Sequence, residues 1–377
     1  MENPAKFSTL PAISNFPQMT TYAKAGVNIE EGDKASKSAY NFAKATFKSR
    51  ENLIGQPVTG EDGFAGFIDM GEFYYAQCCD TVGTKIMIAE KTQNFAGLGF
   101  DLLCMVCDDA VCTGAETVSV TNTFETNKIK SREINAMMES LSKACIEQKV
   151  AIVGGEIAEV GAMTNGTGWG ADAVGIVEKD KVITGKDVQD GDLIIGLASA
   201  GFRCNGFSLI RKILADNFGE DWAFEKYDNE KTWGEMVLTP SRIFSDFVLS
   251  LIGRFKKSRE ISVHGIVHMT GGGMHNLFRI VKGRDLGFII DNPLPPQEMM
   301  LKLQELGNVA DKEAYKTWNM GMGMALIVDP ADADKVLAKA ESYGIPAQVV
   351  GKISRDFPQE VHLTGKGLNG EKLVFEK

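Results

Sequence analysis

Four times along this 377-residue chain an apolar run stops at a short polar cluster built around glycine. The first is Asp80-Thr81-Val82-Gly83-Thr84-Lys85 and the second is Val153-Gly154-Gly155-Glu156-Ile157-Ala158-Glu159. The third is Ser199-Ala200-Gly201-Phe202-Arg203-Cys204-Asn205-Gly206-Phe207-Ser208, and the fourth is His268-Met269-Thr270-Gly271-Gly272-Gly273-Met274. Glycine at a strand end lets backbone N–H groups approach a bound anion, and a helix starting there adds partial positive charge. Any one of these clusters reads equally well as a tight turn. Four in one chain weigh against that reading. None has the Walker spacing or the dinucleotide fingerprint.

Between the clusters, strand and helix patterns alternate. Helices are expected over 33–49, 99–113 and 131–148, and strands over 72–79, 117–121, 150–153 and 171–177. The charged, turn-rich stretch EKDKVITGKDVQDGD at 178–192 reads as a boundary, giving domains 1–182 and 183–377. In the second half a buried strand, LIIGLAS, precedes a helix capped near Asn205. Pro240 is placed to open another helix, and 219–235 reads as a surface excursion. The pattern is that of a two-domain α+β protein.

Composition removes several classes of function. The net charge is −10 and the basic residues are scattered, which excludes a nucleic-acid footprint. No run of 18 residues is apolar and uncharged, so no membrane span is expected. The start, MENPAKFSTLPAISNF, has no apolar leader, and the seven cysteines are odd in number; both favour a reducing, cytoplasmic setting. Cys104 and Cys107 form C-x-x-C without a second pair, so buried reduced thiols are expected there rather than zinc.

Acids form a second pattern. In GFDLLCMVCDDAVCTGAE, Asp101 and Asp108 are seven apart and share one face of an otherwise apolar helix, with Asp109 to the side. Buried carboxylates need a partner, and magnesium bound to nucleotide phosphates is one. Asp80, Glu156 and Glu159 join the same cation cluster if the strand ends converge. His264 and His268 have the spacing H-x-x-x-H but lie in a β-branched segment, which argues against zinc. His268 stands next to the triple glycine and is weighed as a proton carrier.

Taken in order, YAKAGVNIEEG, DTVGTK, GFDLLCMVCDDAVCTGAE, VGGEIAE, GIVEKDKVITG, SAGFRCNGFSLIRKIL, LTPSRIF, VHGIVHMTGGG and YKTWNMGMGM resemble the phosphoribosylformylglycinamidine cyclo-ligase family. The resemblance implies an N-terminal α/β half that contributes strands to the shared β-barrel of a homodimer, with a C-terminal α+β half beside it. It implies closure of the imidazole ring of a phosphorylated ribonucleotide at the expense of ATP, with magnesium. On this reading His268, Asp80 and Lys85 act in catalysis. Gly83, Thr84, Asp101, Gly154, Gly155, Asn205, Gly206, Ser208, Thr270, Gly271, Gly272 and Gly273 bind nucleotide or phosphate. Asp80, Asp108, Asp109 and Glu156 bind metal. Departures from the family pattern fall at Thr81 for Gly, Asp108 for Asn, Arg203 for His and Cys204 for Ser, and in the thinned glycine loop 59–66. Arg203 is expected to keep a cation for a phosphate. The alternatives are another ATP-using relative, kinase-like or amide-activating, and a nucleotide-binding paralogue without turnover.

Overall fold

The computed structural model of the chain describes residues 20–58 and 63–377, so part of the thinned glycine loop, 59–62, lies outside the described residues. The first half holds strands β1 (Gln56–Pro57), β2 (Gly66–Asp69), β3 (Phe73–Thr81), β4 (Glu116–Thr126), β5 (Ala151–Glu159) and β6 (Thr167–Glu178). They form one sheet in the order β1-β2-β3-β6-β4-β5. Its neighbours are antiparallel except β4 and β5, which run parallel. A parallel pair needs a crossover. Helices α1 (Ile29–Ala45), α2 (Lys85–Thr92), α3 (Leu98–Cys112) and α4 (Ser131–Gln148) belong to this half, and α4 makes the crossover.

Helix α3 is apolar around almost its whole circumference, and a helix of that kind belongs inside a protein. Every residue of it is buried except Phe100 and Asp109. It lies so close to α4 that a Cβ on Gly99 would fall 2.0 Å from the backbone nitrogen of Leu141. Only glycine permits that crossing.

The second half carries β7 (Leu193–Ala198), β8 (Val263–His268), β9 (Gly287–Ile290), β10 (Met322–Val328), β11 (Ala347–Ser354), β12 (Glu360–Thr364) and β13 (Lys372–Glu376). Their order is β13-β12-β9-β11-β7-β10-β8. Around them lie α5 (Phe207–Phe218), α6 (Trp233–Val237), α7 (Ser245–Ile252), α8 (Glu298–Leu306), α9 (Asp311–Thr317) and α10 (Ala333–Ser342). Strand β10, MGMALIV, is buried at every position between β7 and β8. An apolar core joins the halves, running from Val82, Leu102 and Phe124 to Phe202, Phe207 and Trp318. The chain is thus a two-domain α+β protein with two mixed sheets.

Three expectations change. No helix begins at Pro240. The backbone N–H groups of Ser241 and Phe244 instead donate to Asp101 and Asp108 at 2.9 Å each, and helix α7 begins only at Ser245. Gly154 and Gly155 sit inside β5 rather than in a turn at its end. A Cβ on Gly155 would fall 2.6 Å from the carbonyl oxygen of Asn122, so glycine here permits close strand contact. The stretch 219–235 buries Trp222 and Trp233, which pack into the core. Helix α2, directly after the first cluster, was not expected.

Lys85 is fully buried. Its Nζ lies 2.7 Å from Asp101 Oδ2 and donates to Thr239 O at 2.9 Å, so it pins α2 and α3 to the second half. Removing one partner of such a pair leaves a buried charge uncompensated, at about 3–5 kcal/mol. Lys85→Met should therefore lower the unfolding free energy by about that much in urea titration, and Lys85→Met/Asp101→Asn should recover most of the loss.

Candidate active site

The polar end of α3 meets the end of β3. Asp80, the penultimate residue of β3, is half-buried, and its Oδ1 accepts the Thr81 N–H at 2.6 Å. Asp109 reaches the surface with 20% of its side chain exposed. Burial, opposed by the Thr81 N–H and reinforced by the Asp109 charge, pushes the Asp80 carboxyl up to about 6. Burial pushes Asp109 up to about 7 against the pull of Arg279 and Arg203. Two carboxylates that resist ionisation and feel each other's charge fit a divalent cation, which would relieve both and complete its shell with phosphate oxygens.

Asp109 opens on a cleft of about 360 Å³ lined also by Tyr40, Phe47, Gly66, Cys78 and Cys79. Strand β3 outruns its neighbour there: Gly66, the first residue of β2, pairs with Gln77, so among the described residues Cys78 to Thr81 have no strand beside them on that side. The backbone after β3 is set by a hydroxyl turn, Gly83 N–H to Thr81 Oγ1 at 3.1 Å, with Gly83 at φ 56°. Thr84 makes no capping bond to α2.

The third and fourth glycine clusters come to the first. A Cβ on Gly83 would lie 3.5 Å from Cys204 O, and one on Gly271 would lie 3.1 Å from Asn205 Oδ1. Gly206, Gly272 and Gly273 all have positive φ, at 76°, 92° and 53°. Ser208 is half-buried in the first turn of α5. Buried polar atoms without a protein partner gather here: Asn205 Nδ2, Trp318 Nε1 and Thr317 Oγ1. Thr317 and Trp318 also pack against Gly206. They stand in the YKTWNMGMGM motif, and sequence reasoning passed over them because a Thr-Trp pair reads as ordinary core.

The structure does not bring all the expected groups to this cleft. Asp80, Ala171, Asn122 and Gly155 lie in one cross-strand row, and Thr81, Gly170, Thr123 and Glu156 in the next. Side chains alternate between faces, so Glu156 points to the opposite face of the sheet from Asp80. Gly154 and Gly155 stay with β5, away from the other glycines. Glu159 accepts the Ile129 N–H at 2.8 Å.

Asp101 and Asp108 did need cations, but the protein supplies them. Asp101 is held by Lys85 and by Ser241, whose N–H and hydroxyl lie at 2.9 and 2.5 Å. Asp108 is held by Arg203 at 2.6 Å. Arg203 is 1% exposed, so it does not serve a phosphate. It pairs with Asp108, so two departures from the pattern of the resembled family meet in one contact. Lys85 is likewise engaged away from the cleft. His268 is fully buried behind Asp109, its Nδ1 2.7 Å from Asp109 Oδ1. Burial, with Arg203 nearby, holds its pKa well below the usual imidazole range. The contact ties the ring to Asp109 through a single shared proton.

Asp80 and Asp109 both have raised pKa values, so the folded protein binds more protons than the unfolded chain between pH 4 and 7. Metal-free stability should fall as pH rises through that window. Asp109→Asn should flatten the slope of thermal midpoint against pH, and metal–nucleotide binding should tighten as pH rises from 6 to 8.

Comparison with known proteins gives the family and the fold. Residues 63–177 match AIR synthase related protein, N-terminal domain, and residues 189–363 match AIR synthase related protein, C-terminal domain. Among solved structures, the HypE–HypF complex superposes with a TM-score of 0.59 at 17% identity, over 82% of this chain and 92% of that one. AaThiL complexed with AMPPCP and TMP superposes with a TM-score of 0.56 at 12% identity, over 89% and 96%. These show that the two-domain fold is that of the AIR synthase related proteins. The phosphoribosylformylglycinamidine cyclo-ligase of Methanocaldococcus jannaschii is 37% identical over 356 residues, which is 94% of this chain and 96% of that protein. The chain belongs to the phosphoribosylformylglycinamidine cyclo-ligase family.

Proposed function

We propose that the chain closes the imidazole ring of formylglycinamidine ribonucleotide, using ATP, to give aminoimidazole ribonucleotide, ADP and phosphate. The observation that carries this reading is the meeting of three glycine clusters, drawn from both halves, beside the Asp80–Asp109 carboxylates. A related fold binds AMPPCP, which supports a nucleotide here.

On this reading Asp80 and Asp109 hold magnesium, which when bound neutralises charge on the transferring phosphoryl group. The start of α2, with Gly83 and Thr84, faces the nucleotide phosphates. Asn205, Gly206, Ser208 and the Thr270–Gly273 turn take the ribose phosphate, and the free donors on Asn205 and Trp318 suit an anion. ATP phosphorylates the formamide oxygen. The amidine nitrogen attacks the activated carbon, the C–O bond breaks and phosphate leaves. His268 holds Asp109, while Lys85 and Asp101 hold α2 against α3. The first half, to residue 182, would bind nucleotide and dimerise, and the second would bind substrate. A homodimer is supported by the open edge strand β5, which exposes Val153 and Ile157.

A coupled assay of ADP release with formylglycinamidine ribonucleotide should give turnover. Thiamine monophosphate should give none, and the reverse result would move the chain to the kinase-like members of the fold. ATP binding with no phosphate release for any purine intermediate would identify a silent paralogue. Asp80→Asn should lower kcat by about 100-fold, with the magnesium requirement raised, and leave the fold intact by circular dichroism.

A further inference from the structure

Arg203 combines two unusual features. It is a non-glycine residue in the left-handed backbone region, at φ 61°, and its side chain is fully buried. Such conformations persist only where the surroundings fix them. The guanidinium binds three partners on two elements. Nη2 donates to Asp108 Oδ2 at 2.6 Å and to Cys104 Sγ at 2.7 Å, both on α3. Nη1 donates to Gly323 O at 2.8 Å, on β10. The same carbonyl accepts the N–H of Met269 at 3.1 Å, and Met269 follows His268. His268 in turn bonds Asp109, the residue after Asp108. The contacts close a ring from Asp108 through Arg203, Gly323, Met269 and His268 to Asp109.

That ring resolves an ambiguity. A ring nitrogen of His268, an oxygen of Asp108 and Cys104 Sγ all lie within 4.8 Å of one another. His268, bonded to Asp109, therefore also stands close to Asp108. Arg203 occupies Asp108, together with the Phe244 N–H at 2.9 Å. Asp109 is left as the carboxylate that His268 holds.

We propose that Arg203 is a positioning residue for Asp109: by engaging Asp108 it keeps His268 bonded to the cleft carboxylate and so fixes where that carboxylate meets a metal–nucleotide. The inference rests on the reading of Asp109 as a metal ligand and adds a residue that touches neither metal nor substrate.

The test compares wild type, R203Q and R203Q/D108N as full-length protein, titrated with Mn²⁺ in the presence of ADP by calorimetry. In R203Q the unpaired Asp108 competes for His268. Mn²⁺ affinity should fall about 10–100-fold, and kcat should fall with little change in KM for the ribonucleotide. In R203Q/D108N the competitor has lost its charge, and Mn²⁺ affinity should return to within about threefold of wild type, even where the thermal midpoint does not. Wild-type affinity in R203Q overturns the proposal, as does a double variant no better than the single. If R203Q does not accumulate folded, R203K replaces it. Its ammonium keeps the charge but lacks the fork that joins Asp108, Cys104 and Gly323, so Mn²⁺ affinity should still drop, and no drop overturns the proposal. Turnover by wild type is measured in parallel. Absent turnover with the expected order of Mn²⁺ affinities would sink the functional reading and leave the role of Arg203 standing.

Discussion

A carboxylate inside a protein must be met by a cation or by enough donors, and α3 carries two such carboxylates one above the other. Lys85 and the Ser241 hydroxyl and N–H meet Asp101, and Arg203 and the Phe244 N–H meet Asp108. Most of these donors come from the second half of the chain, so the need to satisfy two acids is also what clamps the halves together. The segment 239–244 is drawn out of helical geometry for the same reason. With the halves fixed, the loops after β3 and β7 and the triple glycine after β8 are brought to one place.

The clamp also sorts four acids into two kinds of work. Asp101 and Asp108 are neutralised within the protein and serve structure. Asp109 lines the cleft and Asp80 stands at the end of β3, both with raised pKa values and no full counter-charge. On the proposed reading, a cation arriving there would relieve both groups.

Much of this was legible in the chain. Helix α4 falls where the 3.6-residue pattern places it, and α3 differs by one residue at each end. The convergence of the first, third and fourth glycine clusters follows from strands ending together. The rest failed for identifiable reasons. Seven-residue spacing puts Asp101 and Asp108 on one face but says nothing of Lys85 and Arg203, which approach from distant segments. Glu156 shares the exposed face of its sheet with Thr81, and the parity of a strand cannot be read across a register shift such as the one between Val120 and Thr121. In the sequence His268 is weighed as a proton carrier beside glycines because its burial comes from α3, more than 150 residues earlier.

The Arg203–Asp108 contact also bears on how such a sequence drifts. Half of a buried ion pair is worse than either the whole pair or none. An ancestor with neutral residues at both places would pass through a destabilised chain if it changed one at a time. Lineages that crossed are held on their side by the same barrier, so these two positions are expected to be inherited as a unit, and a graft that moves the 199–208 loop between relatives without residue 108 will import a charge that has nowhere to go.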